Sequence, residues 1–316
     1  MAPEADPHDD LTDDALTGCI RVWQRRRGHR YSLDDVATAW VAVAASAEAR
    51  VCLDLGCGLG SVLLMAADRL PQARLFGVEA QPIAYDLATA NIARNGLQER
   101  VSVQQGDLRD HALIDGLVAR ASGGEGFDLV TGTPPYMPVG TATASRDSQR
   151  AHARLELRGG VPEYLQAAAR ALAPSGLAVV CAQAGAEGRI AAAVAQLGLC
   201  WLARLDVIPM AGRKGRLFAI HCFARPAGAP AVLSRVLASH CVERAADGGG
   251  PCVLGPLLAR DAGGARTEQA YALRRFFGLS PEQPEPASPP LRERKAELRT
   301  FAPAEKAAKP ERAGLG

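Results

Sequence analysis

Thr133-Pro134-Pro135-Tyr136 follows the apolar run Phe127-Asp128-Leu129-Val130, which reads as a buried strand. Both proline rings fix φ, and Pro135 also pushes Pro134 toward an extended conformation. A hydroxyl, main-chain carbonyls and an aromatic ring are thereby held in fixed directions beyond the strand's carboxyl end. That is the edge at which open α/β sheets bind ligands. The Thr133 hydroxyl can accept one hydrogen bond, and the Tyr136 ring can either cover a flat ligand or pack into the core. Taken alone, the tetrapeptide is also an ordinary proline-rich turn.

The residues upstream separate these readings. Val51-Cys52-Leu53 ends in Asp54, and Gly56-Cys57-Gly58-Leu59-Gly60 then opens an apolar helix from Ser61 to Leu70. Glycines let the chain turn tightly and approach a ligand closely, and the helix start offers unpaired N–H groups. A second strand, Leu75-Phe76-Gly77-Val78, ends in Glu79, about 20 residues further on, where a carboxylate can hold two ribose hydroxyls. A third, Val101-Ser102-Val103, leads to Gly106-Asp107. The dinucleotide fingerprint G-x-G-x-x-G is absent, which weakens a nicotinamide or flavin reading.

Three acidic strand ends followed by a Pro-Pro-Tyr corner resemble the class I S-adenosylmethionine-dependent methyltransferase core. The resemblance implies an α/β fold, a Rossmann-like doubly wound sheet of seven strands with a C-terminal antiparallel strand. It implies S-adenosyl-L-methionine as cofactor, with Asp54, Gly56, Gly58 and Gly60 at its methionine part, Glu79 at the ribose, and Asp107 with Leu108 at the adenine. In amino-methylating enzymes the corner has the pattern Asn/Asp/Ser-Pro-Pro-Tyr/Phe. Thr133, Pro134, Pro135 and Tyr136 are accordingly the implied catalytic set, with Tyr136 stacked on the target base.

Gln24 and Gly28-His29-Arg30-Tyr31-Ser32-Leu33-Asp34, ahead of the glycine loop and the corner, narrow the resemblance. They are similar to the bacterial tRNA(Val) adenine N6-methyltransferase family, over roughly Asp14 to Ala224. Ala153-Arg154-Leu155-Glu156 is similar to that family's Ala-Arg-His-Glu; Thr133 and Leu155 stand where the family has Asn and His. The family methylates the exocyclic amine of the adenine 3′ of the anticodon, which implies RNA, and tRNA in particular, as partner. Related corners serve a glutamine amide in release factors and guanine N2 in ribosomal RNA. The release-factor enzymes carry a helical domain before the core, for which the first fifty residues leave no room. A catalytically silent cofactor-binding scaffold is the reading of a different class.

Composition excludes other classes. The 316 residues are 48% hydrophobic and 22% charged, enough for one large domain with appendages. No apolar run approaches the eighteen or more residues that cross a bilayer. Met1 to Asp14 is acidic and lacks the blocks of a secretory signal. Eight cysteines without a C-x-x-C indicate neither zinc nor a disulfide framework, so no metal is expected and a reducing cytoplasm is the default. Net charge is +2, so any polyanion site must be local. Arg25, Arg26, Arg27 and Arg30 form one cluster, and Arg146, Arg150, Arg154 and Arg158 recur at four-residue spacing. Arg26, Arg30, Arg150 and Arg154 are the candidate substrate contacts, although both clusters read equally as solvated surface. His29 and His152 read as bystanders, and the chain is expected to act as a monomer.

Strands alternate with helices along the chain, which predicts a doubly wound, mostly parallel sheet. Helices are expected over 61–70, 82–95, 162–173 and 187–197, and a last antiparallel pair over 199–208 and 217–224. Ser32-x-x-Asp35 reads as a helix start, a carboxylate variant of the capping box. Residues 1–13 are expected to be disordered, 14–225 to form the domain, 226–279 to be either a helical cap or a flexible appendage, and the Pro/Glu/Ala/Lys-rich 280–316 a disordered tail.

Overall fold

The computed structural model describes residues 10–138, 140, 147–212, 217–239 and 250–280. The centre is a run of parallel strands, β3 (Val51–Leu55), β4 (Arg74–Glu79), β5 (Val101–Gln105) and β6 (Phe127–Gly132), separated by α2 (Ser61–Arg69), α3 (Pro82–Arg94) and α4 (His111–Ser122). After β6 come α5 (Ser148–Arg154), α6 (Val161–Ala171), β7 (Leu172–Gln183), α7 (Glu187–Leu197), β8 (Cys200–Ile208) and β9 (Phe218–Ala224). Parallel strands buried on both faces need continuous apolar runs, and Val51 to Leu55 and Phe127 to Val130 supply them around a single acid each. Register places Leu53 opposite Phe76 on one side and Val130 on the other. β9 is antiparallel to both β7 and β8, as a strand pair without an intervening helix must be.

Helices cover both faces. On one, α1 (Leu33–Ala45) and α2 pack through Val41, Leu63, Leu64 and Met65; on the other, α4, α6 and α7 pack through Ile114, Leu117, Leu165 and Ile190. Glycines in the left-handed region close α3 at Gly96 (φ 67°) and α7 at Gly198 (φ 63°).

Three stretches differ from the sequence expectation. Within the 1–13 span, Leu11, Thr12 and Asp13 belong to a strand, β1 (Leu11–Ala15), antiparallel to β2 (Arg21–Arg25). Thr12, Asp13 and Asp14 are weak strand formers. Here ion pairs to other elements hold them: Asp13 to Arg21 (2.9 Å) and Arg94 (3.2 Å), Asp14 to Arg30 (2.9 Å). Residues 1–9 lie outside the described residues. Secondly, Pro174-Ser175-Gly176 lies inside β7 and not after a helix. Leu172 pairs with Phe127 and Leu177 with Leu129, so the proline is accommodated in a bulge. Helix α6 stops at Ala171 because Pro174 disfavours a helical Ala173 and Leu172 already pairs in the sheet.

Thirdly, 226–279 is integral to the domain. It holds α8 (Ala229–Ser239), β10 (Cys252–Leu258) and α9 (Glu268–Phe276). β10 runs parallel to β8 and extends the expected seven strands to eight, in the order β10-β8-β9-β7-β6-β3-β4-β5. Val232, Val236, Leu254, Leu257, Leu273 and Phe277 are buried in the core shared with α1 and α2. Residues 281–316 lie outside the described residues. Phe277 is 1% exposed, so Phe277→Ala should lower the unfolding free energy by about 3–5 kcal/mol in chemical denaturation. An unchanged midpoint and slope would mean that this segment is not docked.

Candidate active site

The ends of β6, β3, β4 and β5 open onto one cleft. Leaving β3, the chain passes through Gly56 (φ 61°), Gly58 (φ 58°) and Gly60 (φ 91°), a left-handed path that side-chained residues rarely take. Gly56 has a second constraint: a Cβ there would lie 2.1 Å from the Tyr164 hydroxyl oxygen. Helix α6 thus rests directly on the loop, and Tyr164 forms part of the cleft wall with Gly56, Gly58 and Leu59.

Asp54 is not among the residues that line this cleft. It is 3% exposed behind the loop, where its carboxylate accepts the Thr131 hydroxyl (2.7 Å) and the Leu63 N–H. Burial raises the carboxyl to about 7, against the pull of those two hydrogen bonds. Gly60 caps α2 and also stands outside the lining residues.

Glu79 lines the cleft. Its buried carboxylate accepts N–H bonds from Gly58 (2.8 Å) and Gln81 (2.7 Å), which lash the end of β4 to the glycine loop. Burial raises its pKa, while these two donors and the positive charge of Arg158 act in the other direction. At the end of β5, Asp107 and Leu108 line the same cleft. Asp107 receives a bidentate hydrogen bond from Arg109 (2.9 and 2.7 Å), and this pair holds its pKa below the usual carboxylate range.

Thr133 and Pro135 face the cleft, and Pro134 is buried. Tyr136 is not on the cleft wall. Its hydroxyl donates to Asp34 (2.8 Å) and lies 2.8 Å from the Cys181 sulfur, and its ring stacks on Phe218 with centroids 6.3 Å apart. The expected base-stacking ring is committed to the core, because Asp34 and Phe218 satisfy both its polar and its apolar parts. Burial, reinforced by the negative charge of Asp34, pushes the phenol well above its usual range.

The N-terminal segment closes the cleft with His29, Tyr31 and Asp35, and the stretch after the corner adds Gln149, His152 and Arg158. Gln149 accepts the His29 N–H (3.2 Å) and a guanidinium N–H of Arg25 (3.3 Å), so the two segments are joined. Burial lowers the His29 pKa; Asp34 opposes this, and Arg150 and Arg154 add to it. Of the candidate substrate contacts, Arg30 is spoken for by Asp14 (2.9 Å) and Thr12 (2.7 Å), a half-buried arrangement that braces β1. Arg26 is exposed on the turn after β2, and Arg150 and Arg154 sit on α5, near enough for their charges to act on His29. None of the four lines the cleft; Arg158 does. His29 and His152, read as bystanders, are wall residues. Only their place in the two flanking motifs could have signalled it.

Residues 52–131 match the family described as a methyltransferase domain. Over that stretch the chain resembles a methyltransferase domain, the class for which S-adenosyl-L-methionine is the expected cofactor. The cleft fits that group: Gly58 keeps Glu79 at the loop, and two buried or half-buried carboxylates flank the ends of β4 and β5. Glu79 and Asp107 with Leu108 would hold the adenosine part. A relative named tRNA1(Val) (adenine(37)-N6)-methyltransferase, from Porphyromonas gingivalis, is 36% identical over 125 residues, which is 40% of this chain and 46% of that protein. A relative of the same name from Yersinia pestis is 37% identical over 117 residues, 37% and 42% respectively. The chain thus spans less than half the length of these two relatives. The crystal structure of a predicted O-methyltransferase from Agrobacterium tumefaciens superimposes with a TM-score of 0.53 at 16% identity, over 78% of this chain and 98% of that one. That likeness shows the fold alone, an α/β arrangement around one large sheet. Among the described residues no helix is long and apolar enough to cross a membrane, and no group of three or more His, Cys, Asp or Glu side chains is placed to hold a metal.

Glu79→Ala removes the carboxylate facing the cleft between β4 and the glycine loop. Calorimetry should show S-adenosylmethionine affinity lowered by roughly 2–4 kcal/mol, the scale of two hydrogen bonds to a charged acceptor less their compensation by water. Equal affinity in the variant would remove Glu79 from the cofactor site.

Proposed function

We propose that this protein methylates an exocyclic amine, N6 of an adenine in tRNA, acting in the cytoplasm as a monomer. The observation that carries the reading is the sharing of one cleft by the Thr133-Pro135 corner, the left-handed glycine loop and Glu79. The names of the two relatives support the adenine and tRNA parts. His29, His152 and Arg158 on the wall, with Arg150 and Arg154 close to His29, supply basic groups suited to a polyanion.

Bound S-adenosylmethionine supplies an electrophilic methyl on sulfur. The protein's task is to present a poor nucleophile, because the lone pair of an exocyclic amine is delocalised into its ring. The Thr133 hydroxyl accepts one amine hydrogen, and a main-chain carbonyl of the rigid corner accepts the other. Both hydrogen bonds turn the lone pair out of the ring plane and toward the methyl. Tyr136 has a positioning role here, since its hydrogen bond to Asp34 fastens the corner to the start of α1.

Thr133→Ala should leave cofactor affinity nearly unchanged and lower turnover about 10²-fold, a transition-state loss near 2.7 kcal/mol. Thr133→Asn should retain or raise activity. Incubation with labelled S-adenosylmethionine and separated tRNA, ribosomal RNA, DNA and protein fractions tests the substrate. Label recovered from tRNA as N6-methyladenosine is the expected outcome. Label in protein alone, as a glutamine amide methyltransferase would give, overturns the RNA reading, as label in ribosomal RNA as N2-methylguanosine overturns the adenine one. Cofactor binding with no label in any fraction would favour a silent scaffold.

A further inference from the structure

Asp54 lies behind the glycine loop, and the cleft wall on the α1 side carries another carboxylate, that of Asp35. The four strand ends that line the cleft lie in the order β6-β3-β4-β5. Neighbouring strands are about 4.8 Å apart, so the row spans roughly 14 Å. Glu79, Asp107 and Leu108 occupy the β4–β5 side, and Thr133 and Pro135 the β6 side. A cofactor with its adenosine at Glu79 and its methyl at Thr133 must carry its methionine part past the glycine loop, toward α1 and the start of α2.

Asp35 stands there. It lies in the first turn of α1, which packs on α2, β6 and β7, and it lines the cleft beside Ser61, the first residue of α2. The residue is 6% exposed, and its Oδ2 accepts the Ser32 N–H (2.8 Å). After burial, the largest influences on the carboxyl are the negative charge of Asp34, the Ser32 N–H, the Ser61 hydroxyl and the negative charge of Asp54, and among the described residues Asp35 forms no ion pair. A buried carboxylate without a cationic partner is costly. Two hydrogen-bond donors leave lone-pair sites unused, and those sites belong to a side chain on the cleft wall.

We propose that Asp35 is the acceptor for the α-ammonium group of the cofactor's methionine part. The inference rests on the S-adenosylmethionine reading of the cleft. Burial, then the charge of Asp34, pushes the free carboxyl well above the usual range. An ammonium group beside it favours the ionised form, and binding then releases a proton to the buffer. His29 and Glu79 are further titratable groups on this wall; the proton is assigned to Asp35 by a ligand that lacks the amino-acid part.

Titration calorimetry in buffers of differing ionisation enthalpy provides the test. Wild-type protein should release protons on binding S-adenosylmethionine and not on binding 5′-methylthioadenosine, which keeps the adenosine and the sulfur but has no ammonium group. Asp35→Asn, which keeps the acceptor for the Ser32 N–H, should bind S-adenosylmethionine at least about tenfold more weakly, the scale of one hydrogen bond between charged groups. Its affinity for 5′-methylthioadenosine should match wild type. Equal S-adenosylmethionine affinity in both proteins, an equal loss for both ligands, or the same proton release with either ligand overturns the assignment and leaves the cofactor reading intact. Failure of the wild type to bind either ligand would instead remove the cofactor reading itself.

Discussion

A single buried carboxylate sets the spacing of the cleft. Asp54 accepts the hydroxyl of Thr131 and the N–H of Leu63, and so joins the neighbouring strands β3 and β6 to helix α2. Thr131 is two residues before Thr133, and Asp54 two before Gly56. The distance between the glycine loop and the Thr-Pro-Pro corner is therefore set inside the sheet and not by the loops themselves. Hydrogen bonds to a charged or partly charged acceptor contribute about 1.5–3 kcal/mol each, and losing either donor would leave a buried carboxyl exposed to its full desolvation cost. An acid near the end of an otherwise apolar strand thus organises the site from behind.

The surrounding elements brace that arrangement. Tyr136 ties the far side of the corner to Asp34 in α1. Asn91 in α3 accepts the Trp23 N–H (2.7 Å) and donates to the carbonyls of Trp23 (3.0 Å) and Leu59 (3.1 Å). The N-terminal hairpin is in this way connected to the glycine loop through one side chain. Glu156 takes a bidentate grip from Arg189 (2.7 and 2.8 Å), and its N–H bonds back to the Met137 carbonyl (2.9 Å). The cleft wall is assembled from segments far apart in sequence, each fastened by buried or half-buried polar pairs with defined geometry.

Much of the fold was legible because its signals are local. Acidic ends on Val51–Leu55 and Arg74–Glu79, the left-handed glycines and the glycine caps of α3 and α7 follow from the period and turn chemistry of short windows. β1 was not legible, since Thr12, Asp13 and Asp14 become a strand only through partners 8 to 81 residues away. β10 was hidden by Gly255 and Pro256 in a short run whose apolar side chains, Leu254 and Leu257, pack on a distant core. Side-chain direction was the other gap. Asp54 and Glu79 fall in the last two residues of their strands and Tyr136 four residues beyond β6, yet of the three only Glu79 lines the cleft. The facing of the others depends on Thr131, Leu63, Asp34 and Phe218, which no local pattern names. Asp35 was read as a helix start, and its second role appears only where α1 meets Ser61.

The central claim is that one cleft across the ends of β6, β3, β4 and β5 holds S-adenosylmethionine in a single direction. A crystal structure of the protein with S-adenosylhomocysteine tests it most directly. Ribose hydroxyls are expected at hydrogen-bond distance from Glu79, the adenine between Asp107 and Leu108, and the sulfur on the Thr133 side of the glycine loop. An adenosine part lying on the Thr133 side, or a cofactor bound away from Glu79, would contradict it.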